Sequence, residues 1–152
     1  MSITMIERTE AATGAGFSHV LETPAATPAE AERHFAQRLA LETDPWDVYE
    51  DSKRGATGFV VIDARGADAY AECHLPGAVS LPYRTISPET TASFSRDDVL
   101  IVYCWSPVCN AACKACVRLA ALGFRVKEMV GGIEYWLKEG YPIIGTTPEK
   151  IG

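Results

Sequence analysis

Two short runs of the chain are continuously apolar, the first of them up to a closing charge. One is Phe59-Val60-Val61-Ile62-Asp63 and the other is Val99-Leu100-Ile101-Val102-Tyr103. Strands covered on both faces read this way, and such strands are typical of parallel sheets. Ala78-Val79-Ser80-Leu81 and Val126-Lys127-Glu128-Met129-Val130 read as two further short strands. Between the strands, residues 67–72, 110–122 and 133–138 have helical character. Strands alternating with helices predict an α/β fold around a parallel sheet.

Ahead of this block, a capping residue followed by proline recurs three times. Thr27-Pro28-Ala29-Glu30 predicts a helix start with a capping box, and Phe35, Leu39 and Leu41 supply an apolar face ending near residues 41–43. Asp44-Pro45-Trp46-Asp47 opens a second helix to about Ser52, and Ser87-Pro88-Glu89-Thr90 opens a turn or short helix before Phe94. Residues 1–24 show no sustained period and are expected to form a weakly ordered arm. Residues 25–152 are expected to form one domain that includes the N-terminal helices of 27–53. Those helices can pack on their own domain or on a second copy, so a homodimer is open.

Composition narrows the class. The 152 residues suffice for one domain, with 47% hydrophobic and 22% charged residues. The net charge is -6 and Lys and Arg form no stripe, so neither nucleic acid nor membrane is expected as a partner. The N-terminal segment carries Glu7, Arg8 and Glu10 where an export signal needs an apolar core. A cytoplasmic location is expected. The five cysteines are Cys73, Cys104, Cys109, Cys113 and Cys116. An odd count in a reducing compartment argues against a disulfide framework.

Cys104 is the first residue past the most hydrophobic strand, where ligands of parallel sheets bind. Trp105, Ser106, Pro107, Val108 and Cys109 make a loop, and Asn110 is placed to cap the next helix. Backbone N–H groups of such a loop and helix start form an anion cradle, which predicts a thiol of lowered pKa. Position alone leaves a second reading, a small buried apolar residue.

Cys109 is close enough in sequence to resolve a persulfide on Cys104, provided that the loop curls to bring the Cα atoms within about 7 Å. The alternative is that it packs beneath the loop. Cys113 and Cys116 lie inside the helix rather than at its start, which argues against a redox CxxC pair. Cys116 fits an apolar face with Ala112, Leu119 and Ala120. Cys109, Cys113 and Cys116 span roughly 10 Å along a helix, which argues against zinc.

Five elements between about 59 and 142 resemble the rhodanese-like family. Val61-Ile62-Asp63-Ala64-Arg65 is similar to its strand ending in Asp-x-Arg. Glu72-Cys73-His74-Leu75-Pro76-Gly77-Ala78 resembles its His-x-Pro-Gly-Ala signature, with Cys73 where glycine is usual. Tyr103-Cys104 is similar to the strand end that bears the catalytic cysteine. Leu122-Gly123-Phe124 and Gly131-Gly132-Ile133-Glu134-Tyr135-Trp136 resemble the closing elements.

The resemblance implies a rhodanese-like three-layer fold, a central mainly parallel sheet flanked by helices. It also implies a sulfurtransferase in which Cys104 takes a sulfane sulfur from a small-molecule or protein donor and passes it to a thiol acceptor, with no metal or organic cofactor. Asp63 and Arg65 are expected to support the loops as a charge-assisted pair, and His74 to make a structural hydrogen bond rather than act as a base.

The loop departs from the family's pattern. Pro107 stands where glycine is common and Cys109 where arginine is common. Pro107 has no N–H to offer and Cys109 no fixed charge, so efficient use of thiosulfate is in doubt. Cysteine phosphatases of related design need a longer loop ending in arginine; the residue six positions after Cys104 is Asn110. Two other readings stay open: a thiol-disulfide or persulfide redox enzyme using Cys104 and Cys109, and a non-catalytic protein-binding module.

Overall fold

In the computed structural model, which describes residues 16–146, the two apolar runs form adjacent central strands. The five strands are β1 (Glu42–Thr43), β2 (Phe59–Asp63), β3 (Val79–Ser80), β4 (Val99–Tyr103) and β5 (Arg125–Met129). Their order across the sheet is β1-β5-β4-β2-β3, and every pairing is parallel. β4 is central because its neighbours cover both of its edges, and four of its five residues are buried. Asp63 of β2 lies beside Tyr103 of β4 and Ser80 of β3, which brings three strand ends into line.

The helices are α1 (Pro28–Leu41), α2 (Pro45–Lys53), α3 (Ala67–Glu72), α4 (Ala111–Ala121) and α5 (Gly132–Lys138). Strand alternation divides the core into two clusters. Ile101, Tyr103, Val61, Ile133 and Trp136 pack in one, with α2 and α5 on that side. Leu100, Val102, Cys104, Ala112, Ala115 and Leu119 pack in the other, beneath α4. Helices therefore cover both faces of the sheet, the three-layer α/β arrangement expected from the sequence.

Several expectations shift. β1, two residues long at the sheet edge, was not anticipated; Glu42 and Thr43 carry no apolar signal, and Val130 N–H bonds to the Thr43 carbonyl at 2.9 Å. The third strand is shorter than 78–81. β5 runs from Arg125 to Met129 rather than over 126–130, because the backbone at Gly131 turns into the left-handed region (φ 88°) to start α5. Ser87 makes only a turn: its hydroxyl accepts from Thr90 N–H at 3.1 Å, and no helix follows.

The capping box of α1 forms, with Thr27 and Glu30 each accepting from the other's backbone N–H. Its apolar face, however, is not covered among the described residues: Phe35, Leu39 and Leu41 are all exposed and α1 buries no residue. Of the expected arm, residues 1–15 lie outside the described residues, as does 147–152 at the other end of the expected domain. Among the described residues no helix is long and apolar enough to cross a membrane.

Candidate active site

The carboxyl end of β4 presents two successive residues to opposite faces. Tyr103 enters a buried polar network. Its phenol donates to Asp63 Oδ2 at 2.8 Å and accepts from Leu75 N–H at 3.2 Å. Asp63 also pairs with Arg65, which donates from Nη2 to Oδ2 at 2.7 Å and from Nε to Oδ1 at 3.0 Å. Neither side chain of that pair is exposed at all. Arg65 Nη2 donates further to the Cys73 carbonyl at 2.5 Å. A buried guanidinium is tolerable only when so paired. The network thus fixes β2, β4 and the 73–75 segment relative to one another.

Trp105 lies over this ion pair, with its ring 4.4 Å from the Arg65 guanidinium carbon. Arg65 Nη1 has no hydrogen-bond partner among the described residues. The Trp105 ring, itself exposed on its outer side, covers the cation on the side of the loop.

Cys104 enters the opposite cluster and is 2% exposed. From Trp105 to Asn110 the chain curls rather than extends. Cys109 N–H bonds to the Ser106 carbonyl at 3.1 Å, closing a turn whose tip, Val108, is fully exposed. That curl brings Cys109 back over Cys104: the Cys104 thiol donates to the Cys109 carbonyl at 3.2 Å, and each thiol shifts the titration of the other. Asn110 occupies the N-cap position of α4 without a side-chain cap bond, contrary to expectation. The first N–H groups of α4 are turned to the sulfurs instead.

The donors of the loop are divided between two sulfurs. Burial pushes the Cys104 thiol up to about 11, against the N–H groups of Ala112 and Ser106, and the neighbouring Cys109 raises it further. Burial also pushes Cys109 up, but the N–H groups of Ala111 and Trp105, the Cys104 thiol and the Lys114 charge outweigh it and hold Cys109 below the ordinary value. The expected lowering of Cys104 is therefore overturned for the resting pair. Cys104 is deeper and loses more hydration, and the more open Cys109 is the easier of the two to ionise.

The base of the loop is clamped from the far side. α5 begins at Gly131 and Gly132, and the N–H groups of Ile133 and Glu134 bond to the carbonyls of Cys104 and Trp105 at 3.0 and 2.9 Å. Gly132 has φ 64°, and a Cβ there would stand 2.6 Å from the Cys104 carbonyl oxygen and 2.7 Å from Ser106 N. Only glycine permits so close an approach. Beside the loop, Trp46, Pro107, Gly131, Tyr135 and Tyr141 line a groove of about 430 Å³.

The remaining sequence candidates lie elsewhere. His74 donates from Nδ1–H to the Tyr70 carbonyl at 2.8 Å and stacks on the Tyr70 ring, and its backbone pairs with Ile144. Cys113 is exposed and its thiol donates to Glu128 Oε2 at 3.0 Å; that carboxylate pushes it up to about 11. Cys116 is half-buried at the margin of the Leu119 cluster, and burial pushes it up to about 12. The buried stripe of α4 is Ala112, Ala115 and Leu119; Ala120 is exposed, against expectation. Cys73 is fully buried beside Arg65. Among the described residues no three His, Cys, Asp or Glu side chains group as metal ligands.

Sequence reasoning did not single out Gly132 as the residue that lets α5 reach the loop, although the Gly-Gly pair was visible. It also missed Tyr103 as the link between Asp63 and Leu75, because a tyrosine ending an apolar strand reads as core.

The family model described as Rhodanese-like domain matches residues 45–139. A crystal structure of a Bacillus halodurans protein aligns with a TM-score of 0.79 and 50% identity, covering 80% of this chain and 88% of that one. A sulfurtransferase of Allochromatium vinosum is 30% identical over 86 residues, 56% of this chain and 78% of the relative. An HTH-type transcriptional regulator of Mycobacterium tuberculosis is 27% identical over 131 residues. That match takes in 80% of this chain but only 57% of the regulator's length. The chain belongs to the rhodanese-like domain family.

Proposed function

We propose that this chain is a sulfurtransferase that carries a sulfane sulfur as a persulfide on Cys104. The observation that carries the reading is the position of the Cys104 sulfur: at the end of the central strand, with the N–H groups of Ser106 and Ala112 favouring its anion. The similarity to the Allochromatium sulfurtransferase supports the same reaction class.

In the loading step the Cys104 thiolate attacks the outer sulfur of the donor. A bond forms between Sγ and that sulfur, the donor's sulfur–sulfur bond breaks, and the donor leaves with the electron pair. In the second step a thiol acceptor attacks the terminal sulfur and Cys104 leaves as the thiolate. The N–H groups that favour the thiolate would stabilise the terminal sulfur's charge in the same way.

The donor class follows from the loop's chemistry. Val108, Cys109 and Asn110 supply no cation, and Pro107 supplies no N–H. A dianionic donor such as thiosulfate gains little from such a rim, whereas an organic persulfide or an organic polysulfide needs less charge neutralisation. The aromatic groove beside Pro107 offers apolar surface to the rest of such a molecule.

Intact-mass measurement of the reduced protein after exposure to a polysulfide tests the reading. The expected result is sulfur-dependent modification that disappears in Cys104→Ala and persists in Cys113→Ala. Modification that is unaffected by Cys104→Ala sinks the assignment.

A further inference from the structure

A second thiol beside the proposed carrier is an arrangement that simple transfer does not require. We propose that Cys109 is a resolving thiol: once Cys104 holds a sulfane sulfur, the Cys109 sulfur attacks Cys104 Sγ, forms a Cys104–Cys109 disulfide and expels the terminal sulfur as hydrosulfide. The inference rests on the carrier role of Cys104. It adds a reductive activity, conversion of a bound persulfide to sulfide, for which the substrate class is an organic persulfide or polysulfide.

The geometry makes the pair. The Ser106–Cys109 turn folds the loop back, and the Cys104 thiol donates to the Cys109 carbonyl at 3.2 Å. Both sulfurs pack on the same apolar cluster under α4. Trp105 and Ala111 turn their N–H groups to Cys109 rather than Cys104, so this second thiol has an anion cradle of its own. A cysteine that merely filled space would need none. Cys109 is also more open than Cys104, so an external reductant can reach the resulting disulfide.

The direction of attack follows from the leaving groups. Attack on the terminal sulfur would expel the Cys104 thiolate, which burial makes a poor anion. Attack on Sγ expels hydrosulfide, the better leaving group. The step balances without an external oxidant. The Sγ–Sγ bond forms, the bond from Cys104 Sγ to the terminal sulfur breaks, and the Cys109 proton passes to the departing sulfur. The two cysteine sulfurs supply the two electrons that reduce the sulfane sulfur. Return to the dithiol consumes two electrons from a protein dithiol or a small thiol, the co-reactant class that the cycle needs.

The test uses the full chain, reduced and then freed of reductant. Wild type, Cys104→Ser, Cys109→Ser and Cys109→Ala are each exposed to polysulfide and then desalted. Non-reducing intact mass, peptide mapping and released sulfide are read, with circular dichroism checking that each variant is folded. Wild type is expected to lose two hydrogens, to map a 104–109 disulfide, and to release sulfide above the Cys104→Ser background. Both Cys109 variants are expected to gain one sulfur atom on Cys104 and release no excess sulfide.

Equal, stable persulfide in wild type and the Cys109 variants overturns the inference and leaves the carrier role intact. Sulfur found on Cys109 overturns it in favour of a relay. If folded Cys109 variants take up no sulfur at Cys104, the carrier role fails, and the inference with it.

Discussion

Tyr103 and Cys104 are neighbours in sequence and opposites in surroundings. Tyr103 joins a network in which nearly every polar atom is matched: Asp63, Arg65, the Cys73 carbonyl and Leu75 N–H. Cys104 joins a pair of thiols in which one sulfur is favoured as the anion at the expense of the other. One side is satisfied and silent; the other is left with an unmet demand for N–H donors. A parallel sheet offers both kinds of site at one strand end because alternate residues face different layers. The difference teaches where rigidity and the proposed reactivity are kept apart: the ion pair holds the strand ends still, and the two thiols sit above a fixed floor.

The strongest way to break this comparison is Asp63→Ala. It strands the Arg65 guanidinium in the interior, and an uncompensated buried charge costs about 3–5 kcal/mol. Urea denaturation should show that loss, while sulfur uptake per folded molecule stays near wild type. A comparable fall in uptake per folded molecule would mean that the two sides are one unit.

Gly132→Ala should cost less stability, about 1–3 kcal/mol for the left-handed backbone. It should cost more function, since its Cβ collides with the Cys104 carbonyl and Ser106 N. Unchanged sulfur uptake alongside the expected stability loss would show that α5 does not set the loop.

The smallest effect sharpens the thiol side. In Cys109→Ala the thiolate absorbance of Cys104 should titrate below the wild-type value of about 11, because the Cys109 contributions that raise it are gone. It should stay above the ordinary 9.0, because burial remains. The linked stability has a definite sign. A thiol whose folded value is raised contributes stability that is complete below its unfolded value and lost as pH rises through the folded one. Wild type should therefore weaken from about pH 9 through 11, and Cys104→Ala should remove only part of that slope, because Cys113 at about 11 and Cys116 at about 12 contribute with the same sign. A Cys104 midpoint unmoved by Cys109→Ala would show that the two thiols are not coupled.

The central strands were legible in the sequence because burial on both faces leaves unbroken apolar runs, as at Phe59–Asp63 and Val99–Tyr103. β1 was not, because Glu42 and Thr43 are polar and only their backbone pairing with β5 makes them a strand. The position of Cys104 could be read from the strand end, whereas the sharing of N–H donors with Cys109 could not. It depends on a curl through Ser106 and Pro107 that only the three-dimensional backbone records. The solvent-facing side of α1 escaped for a related reason: Phe35, Leu39 and Leu41 have the spacing of a packed face, and spacing does not say whether a partner surface exists.

The contact between α5 and the loop also bears on how such a domain can change. Because the carbonyls of Cys104 and Trp105 are both taken by α5, the lower rim of the loop is stapled to a helix, and Gly132 leaves no clearance behind it. Widening the cavity from below would unseat α5. New specificities are therefore confined to the outer rim, from Ser106 to Asn110, where Val108 already faces solvent and exchanges of side chain meet no steric resistance. The hinge between an old scaffold and a new substrate is a segment of five residues, 106–110.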